Sequence, residues 1–194
     1  MKTVFVDVDT QLDFLYPAGA LYVPGAERII PAIVRLNRYA AAHGMAVVST
    51  ADAHAENDPE FARWPPHCIA GTWGQQKAAA TLLEKRIVIP NRNCETALAG
   101  ADQIIIEKQS VDVFQAPNLS RILQILNGDR YVVYGVVTEI CVASAARGLL
   151  ALRKPVTVVA DAIGELHAND AGRTLEEIRS LGGTITSVPE VCGE

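Results

Sequence analysis

The chain has 194 residues, of which 49% are hydrophobic and 20% are charged. These values are typical of a soluble globular protein and predict a single domain over residues 1–194. The formal net charge is −5 and lysine and arginine form no cluster, which argues against binding to nucleic acid or to an anionic membrane. No apolar run reaches membrane-spanning length, and Asp7 comes too early for a signal peptide, so we expect a cytoplasmic protein.

Apolar, β-branched runs alternate with segments of helical periodicity along the chain. Strands are predicted at residues 3–8, 46–49, 103–106, 131–134, 156–160 and 184–186. Helices are predicted at residues 26–42, 75–83, 118–126, 142–152 and 170–181. The short apolar run 87–89 is compatible with an edge strand or with a packed loop segment. This alternation predicts an α/β fold with three α/β/α layers and a doubly wound, mainly parallel six-stranded sheet of the Rossmann-like type.

Residues 131–152 place Cys141 just after a buried strand. Gly135 ends the apolar run, and Thr138 and Glu139 offer a helix start. Open α/β folds bind their ligands at the carboxyl edge of the sheet, which is where such a turn lies. A thiol in the first helical turn feels the positive end of the helix dipole, which favours the nucleophilic thiolate. The alternative is that Cys141 is a small, inert residue packed behind the sheet.

Three predicted strand ends carry a chemically useful side chain: Asp9, Lys108 and Cys141. In a parallel sheet these ends lie side by side, so the three groups can form a compact nucleophilic site. Asp9 could take the proton of the thiol and return it to a leaving group, and Lys108 could hold Asp9 and stabilise negative charge. The alternative is a structural salt bridge between Asp9 and Lys108 beside an unreactive cysteine.

The segment 50–74 is longer than a connection requires and is rich in possible metal ligands. Asp52 and His54 lie two residues apart, and Glu60 and His67 follow. Carboxylate and imidazole together suit one divalent metal ion, Zn²⁺ first, with Mn²⁺ or Fe²⁺ possible. The spacing matches no closed zinc finger, so open positions would remain for water or substrate. A polar loop with solvated histidines fits the spacing equally well.

Several short segments match the motifs of one known protein family. Residues 9–14 (DTQLDF) resemble D-x-Q-x-D-F, and residues 135–142 (GVVTEICV) resemble G-x-x-T-(D/E)-x-C-V. Residues 52–54 (DAH) and 64–72 (WPPHCIAGT) resemble D-x-H and W-P-x-H-C-x-x-G-T. Over nearly its whole length the sequence therefore resembles the isochorismatase-like cysteine hydrolases, and among them the nicotinamidases.

The resemblance implies roles for individual residues. Asp9 corresponds to the catalytic acid and base, Lys108 to the catalytic lysine and Cys141 to the nucleophile. The oxyanion hole maps to the backbone N–H groups of Val137 and Cys141, with a non-proline cis peptide between Val136 and Val137. The metal ligands map to Asp52, His54, Glu60 and His67, with Glu60 at the position where some nicotinamidases carry a histidine. Homo-oligomers are common in the family.

The activity implied is hydrolysis of nicotinamide, or a close aromatic carboxamide, to the acid and ammonia through a thioester on Cys141. Phe14 and Trp64 would sandwich the flat ring of this small-molecule substrate, although both could simply pack the base of the loop. Residues 109–114 differ from the segment that nicotinamidases usually carry there, so another amide or a carbamoyl compound is an alternative substrate. An alternative of a different class is a thiol redox sensor, although no neighbouring cysteine offers a resolving thiol.

Overall fold

The computed structural model of the protein describes residues 1–95, 97–98 and 100–193. Within these residues one sheet has seven strands: Thr3–Val8 (β1), Ala46–Asp52 (β2), Arg86–Ile89 (β3), Gln103–Lys108 (β4), Arg130–Val136 (β5), Val156–Gly164 (β6) and Thr184–Thr186 (β7). The strand order is β3-β4-β2-β1-β5-β6-β7, and every neighbouring pair is parallel. The predicted parallel sheet is confirmed, with seven strands where six were predicted. The additional strand is β3, which forms an edge.

Helices cover both faces of the sheet, as the predicted three-layer fold requires. The α-helices are Leu12–Leu15 (α1), Ile30–Ala42 (α2), Leu119–Leu126 (α3), Ala143–Ala151 (α4), Ala168–Ser180 (α5) and Val188–Cys192 (α6). Buried residues of α3, α4 and α5 share one core with the sheet, and those of α2 and α6 share the other. Among the described helices none is long and apolar enough to cross a membrane.

The central strand β1 is buried along its whole length because β2 and β5 flank it and helices cover both faces. Side chains alternate between the faces of a strand. Val4, Val6 and Val8 accordingly enter the core beneath α3 to α5, and Phe5 enters the core beneath α2. The carboxyl end of β1 therefore opens at the middle of the sheet edge, where the segment beginning at Asp9 emerges.

The prediction of a helix over residues 75–83 is wrong. Only a 3₁₀ turn, Ala79–Thr81, forms there. Lys77 instead makes an antiparallel bridge with Gln11, and the Ala78 N–H donates to the Thr10 carbonyl at 3.0 Å. Because its backbone groups are used by the segment after β1, this stretch cannot form helical hydrogen bonds.

Other boundaries also differ from the prediction. Strand β6 continues to Gly164 because it pairs again with β5 beyond a register shift. The helix predicted from residue 142 is preceded by a π-helical turn, Thr138–Val142. The short helices α1 and α6 were not predicted. Helix α6 begins with a capping box between Ser187 and Glu190, a start signal too short to carry apolar periodicity.

Candidate active site

The three predicted strand-end side chains meet at the carboxyl edge of the sheet. Asp9 directly follows β1, Lys108 is the last residue of β4, and Cys141 lies in the π-helical turn after β5. Lys108 Nζ lies 2.9 Å from Asp9 Oδ2 and 3.9 Å from Cys141 Sγ. Asp9 and Cys141 both line one cavity, so the cysteine does not pack behind the sheet. An acid, an amine and a thiol are thus within mutual reach.

Asp9 is held in a fixed orientation by Thr50 on the neighbouring strand β2. The Asp9 N–H donates to Thr50 Oγ1 at 3.1 Å, and the same hydroxyl donates to Asp9 Oδ1 at 2.5 Å. The backbone of Asp9 is left-handed, with φ of 49°, a conformation that costs energy for a residue with a side chain. Strain of this kind is common where a structure presents a functional group.

Burial controls the electrostatics of the three groups. It raises the pKa of the Cys141 thiol well above its ordinary value, more than the Lys108 ammonium lowers it. Burial also raises the pKa of Asp9, with Lys108 opposing the effect. Burial lowers the pKa of Lys108, but Asp52 and Asp9 outweigh it and hold this pKa well above its usual range. The effect of the helix start on the thiol is therefore outweighed by desolvation, and the thiol needs a base.

Asp52, His54 and His67 form a compact cluster of possible metal ligands. All three are buried, and their candidate ligand atoms lie within 4.8 Å of one another. Asp52 Oδ2 is 3.9 Å from Nε2 of each histidine, and neither ring nitrogen of His54 has the geometry of a hydrogen bond to a described group. A buried nitrogen without a partner is costly unless a ligand satisfies it. One carboxylate and two imidazoles fit a zinc-type ion that keeps open positions.

In both imidazole rings an oxygen atom lies close to Nδ1, the nitrogen opposite the cluster. Asp58 Oδ2 lies 3.0 Å from His54 Nδ1, and the Pro65 carbonyl lies 2.7 Å from His67 Nδ1. Partners of this kind fix the ring and its tautomer so that Nε2 can ligate a metal. Burial lowers the pKa of His54, but Asp52 and Asp58 outweigh it and raise this pKa to about 9. The carboxylates thus favour positive charge at this point, as a cation site requires.

The remaining predicted ligand, Glu60, is placed differently. It is half-buried and lines the cavity with Asp52 and His67, but it is not part of the compact cluster. Burial raises its pKa, and the nearby Asp52 charge adds to the effect. Asp52 itself is held by Gln11, whose side-chain amide donates to the Asp52 carbonyl at 2.8 Å and accepts from the Asp52 N–H at 2.7 Å.

A cavity lies above these groups. Phe14 and Trp64 both line it, and Phe14 also packs against His67 with a ring separation of 5.4 Å. Val137 and Cys141 line its floor, and the Val136–Val137 peptide is cis. The other lining side chains are aliphatic: Leu21, Val23, Val111, Val136, Ile140 and Leu166. The site therefore pairs a polar floor with apolar walls, which is typical of a small-molecule pocket.

Sequence reasoning missed three supporting residues. Thr50 was assigned to the loop because the apolar run ends one residue earlier, whereas β2 continues to Asp52. Gln11 lies within a recognised motif, which was the signal available for it. Asp58 precedes a proline and has the appearance of an ordinary turn residue, so nothing in the sequence connects it with His54.

A parallel α/β/α fold with buried ionisable groups converging on a pocket at the carboxyl edge of its sheet defines an enzyme. Residues 3–190 match the family model described as the Isochorismatase domain. The chain therefore belongs to the isochorismatase family and is a hydrolase, as its motifs predict.

Similar proteins support this assignment. A curated nicotinamidase of Saccharomyces cerevisiae is 26% identical over 192 residues, covering 83% of this chain and 87% of the relative. The crystal structure of a pyrazinamidase of Pyrococcus horikoshii in complex with zinc is 30% identical with a TM-score of 0.83, covering 96% of this chain and 99% of that chain. An N-carbamoylsarcosine amidase from Thermoplasma acidophilum is 25% identical with a TM-score of 0.79, covering 97% of each chain. These similarities support the predicted reaction class, hydrolysis of an amide bond.

Proposed function

We propose that the protein is a metal-containing cysteine amidohydrolase that converts nicotinamide, or a close aromatic carboxamide, to the acid and ammonia. The observation that carries this proposal is the meeting of Asp9, Lys108 and Cys141, with Lys108 Nζ 2.9 Å from the carboxylate and 3.9 Å from the sulfur. A thiol beside a buried acid at the floor of a pocket suits covalent catalysis.

In the first half of the reaction, Asp9 takes the Cys141 proton as the sulfur attacks the carboxamide carbon. The raised pKa of the thiol makes this base necessary, and the raised pKa of Asp9 brings the carboxylate closer to a useful basicity. The backbone N–H groups of Val137 and Cys141 stabilise the oxyanion. Collapse of the tetrahedral species forms the thioester and releases ammonia, which leaves with the proton from Asp9.

In the second half, Asp9 removes a proton from a water molecule that attacks the thioester. The C–S bond breaks, the acid product forms, and the proton returns to the Cys141 sulfur. Lys108 stays charged throughout because two carboxylates raise its pKa, and it holds Asp9 toward the pocket. The N–H groups of the Lys108 ammonium also stabilise negative charge near the Cys141 sulfur.

We assign Asp52, His54 and His67 as the ligands of one divalent metal ion, with Glu60 on the adjoining wall. The donor set favours Zn²⁺ and accepts Mn²⁺ or Fe²⁺. When bound, the ion supplies a Lewis acid that can ligate a ring nitrogen of the substrate. Phe14 and Trp64 orient the flat ring between them, and the aliphatic walls exclude water.

The charge of the pocket favours a neutral amide over an anionic substrate. Asp9, Asp52 and Glu60 line it, and no lysine or arginine does so among the described residues. With Lys108 and a divalent cation, the formal charges of the site cancel, so no cationic side chain is left to pair with a substrate carboxylate. This disfavours carbamoyl amino acids as substrates. A cytoplasmic location and a homo-oligomeric assembly complete the proposal and rest on composition and family resemblance.

Ammonia release from a panel of amides tests the function. Nicotinamide and pyrazinamide should be turned over, and an N-carbamoyl amino acid should not. Cys141→Ala should abolish turnover and leave the metal content unchanged, because no candidate ligand is altered. Cys94→Ala, at a half-buried cysteine that does not line the pocket, should behave as wild type. Ammonia release by Cys141→Ala would contradict the mechanism, and turnover of the carbamoyl compound alone would contradict the substrate.

A further inference from the structure

A second buried ion pair lies behind the proposed active site. Asp7 is fully buried in β1, and the side chain of Lys77 is 3% exposed, with Nζ 3.3 Å from Asp7 Oδ2. Asp7 shares its face of β1 with Phe5, beside the apolar core beneath α2. A buried ion pair is expensive to desolvate and is weak evidence for stability. The steps proposed above use neither residue.

The hydrogen bonds of this pair end at the residues that surround Asp9. Asp7 Oδ1 accepts from the Thr10 hydroxyl at 2.8 Å, and Asp7 Oδ2 accepts from the Ser49 hydroxyl at 2.9 Å. Lys77 Nζ donates to the Thr50 carbonyl at 3.2 Å. Thr10 directly follows Asp9, and Thr50 is the residue whose hydroxyl holds the Asp9 carboxylate.

These contacts form a continuous path from the ion pair to the Asp9 carboxylate. Lys77 fixes the backbone of Thr50, and the Thr50 side chain brackets Asp9 through its N–H and Oδ1. On the other side, Asp7 fixes the side chain of Thr10, next to the strained left-handed backbone of Asp9. Two points of attachment therefore oppose relaxation of that strain.

We propose that Asp7 and Lys77 are positioning residues for the hydrolysis, which hold Thr10 and Thr50 so that the Asp9 carboxylate stays directed at Cys141. This inference rests on the proposed function and adds residues to it. A buried ammonium and carboxylate suit the task because each can bind several fixed groups at once. Loss of the pair should therefore impair the chemical step more than folding, since neutral replacements of buried ion pairs are often tolerated.

The double variant Asp7→Asn/Lys77→Met tests the proposal because it removes both charges together. We expect kcat for nicotinamide to fall about 10- to 100-fold, as for a misplaced catalytic group. KM, metal content and Tm should stay close to wild type. The rate of Cys141 alkylation by iodoacetamide, followed by peptide mapping, should fall in parallel with kcat. Thr50→Val should show the same loss, and Thr50→Ser, which keeps the hydroxyl, should restore both rates.

Tyr134→Phe is the matched control, because it removes the hydroxyl that donates to Asn37 at the far end of the same buried network. Loss of this buried hydrogen bond should lower Tm without changing kcat or the rate of Cys141 alkylation. Alkylation at the wild-type rate in the double variant, or in Thr50→Val, would overturn the proposal. If Tyr134→Phe lowers Tm and both rates to the same extent as the double variant, the loss follows reduced stability, and the proposal is also overturned. If wild type releases no ammonia from nicotinamide, the proposed substrate fails, whereas alkylation still decides the positioning role.

Discussion

Replacing Asp58 by asparagine should weaken metal binding without altering any predicted ligand. Asp58 Oδ2 lies 3.0 Å from Nδ1 of the buried His54, and Asp58 Oδ1 accepts the Glu60 N–H at 2.9 Å. When a metal ion is bound, this carboxylate favours the tautomer with the proton on Nδ1, which leaves Nε2 to ligate. Orienting partners of this kind typically contribute 10- to 100-fold to metal affinity, which corresponds to about 1.4–2.8 kcal/mol.

The structure shows why an asparagine cannot satisfy both neighbours. If its oxygen keeps the Glu60 N–H, its NH₂ group faces His54 Nδ1, and the proton of the ring must move to Nε2, where it blocks ligation. If the amide turns over, the NH₂ group meets the Glu60 N–H, and two donors oppose each other. The first arrangement costs the ligating nitrogen and the second costs one hydrogen bond, about 1 kcal/mol, and both lose the charge of the carboxylate.

Competition with a chromogenic chelator for Zn²⁺ measures the affinity directly. Glu56→Gln is the control, because it removes one negative charge from an exposed position of the same loop. We expect Glu56→Gln to retain wild-type affinity and Asp58→Asn to lose at least about tenfold. An affinity within about twofold of wild type for Asp58→Asn would show that Asp58 does not orient His54 for ligation.

Three further changes have definite expected results. Trp64→Ala should raise KM for nicotinamide about 3- to 10-fold in steady-state assays, with little change in kcat, because it removes one wall of the ring site. Glu190→Gln should lower Tm at neutral pH, because the Thr186 hydroxyl lowers the pKa of Glu190 and the carboxylate stabilises the fold above its unfolded pKa of about 4.3. The difference in Tm should vanish as the pH falls through the lower folded value. Gly74→Ala should lower both stability, by about 1–3 kcal/mol, and metal affinity, because a Cβ there would overlap the Asp13 carboxylate, which accepts the N–H of Cys68 next to His67.

Each of these has its own check. An unchanged KM in Trp64→Ala would remove this side chain from the substrate site. A Tm difference for Glu190→Gln that is as large in acid, at the lowest pH at which the protein stays folded, as at neutral pH would mean that its carboxylate charge is not the cause. For Gly74→Ala the control is Gly172→Ala, at an exposed position of helix α5 with no neighbouring atom close to the added Cβ, which should stabilise the protein by about 0.5–1 kcal/mol. Equal behaviour of the two alanines in thermal unfolding would argue against the overlap.

The sheet was predictable because its strands carry strong local signals. Buried parallel strands read as continuous β-branched runs, and β1, β4 and β5 are of this kind. The segment around Lys77 was not predictable, because its backbone partners are residues 10–12, far away in the chain. Local propensity cannot report a hydrogen bond with a distant segment.

The same limit applies to the site. Asp9, Lys108 and Cys141 could be singled out because each follows a recognisable strand. Asp58 and Thr50 act through contacts that only the folded chain creates, at positions where aspartate and threonine are ordinary. The balance of effects on the Cys141 thiol was also beyond the sequence, because the helix start favours a charged thiol whereas desolvation in the folded site, which the sequence does not give, opposes it.

Lys108 lies between two carboxylates that belong to different parts of the site, 2.9 Å from Asp9 and 2.5 Å from Asp52. A single cationic side chain is thus shared by the nucleophilic and the ion-binding halves. A neutral residue in place of Asp52 would leave the Lys108 ammonium with Asp9 alone and alter the geometry of the Lys108–Asp9 contact. Substitutions at the metal site and at the nucleophilic site are therefore coupled in the evolution of related proteins. We therefore expect homologues that lack the metal ligands also to carry compensating substitutions around the residue that corresponds to Lys108.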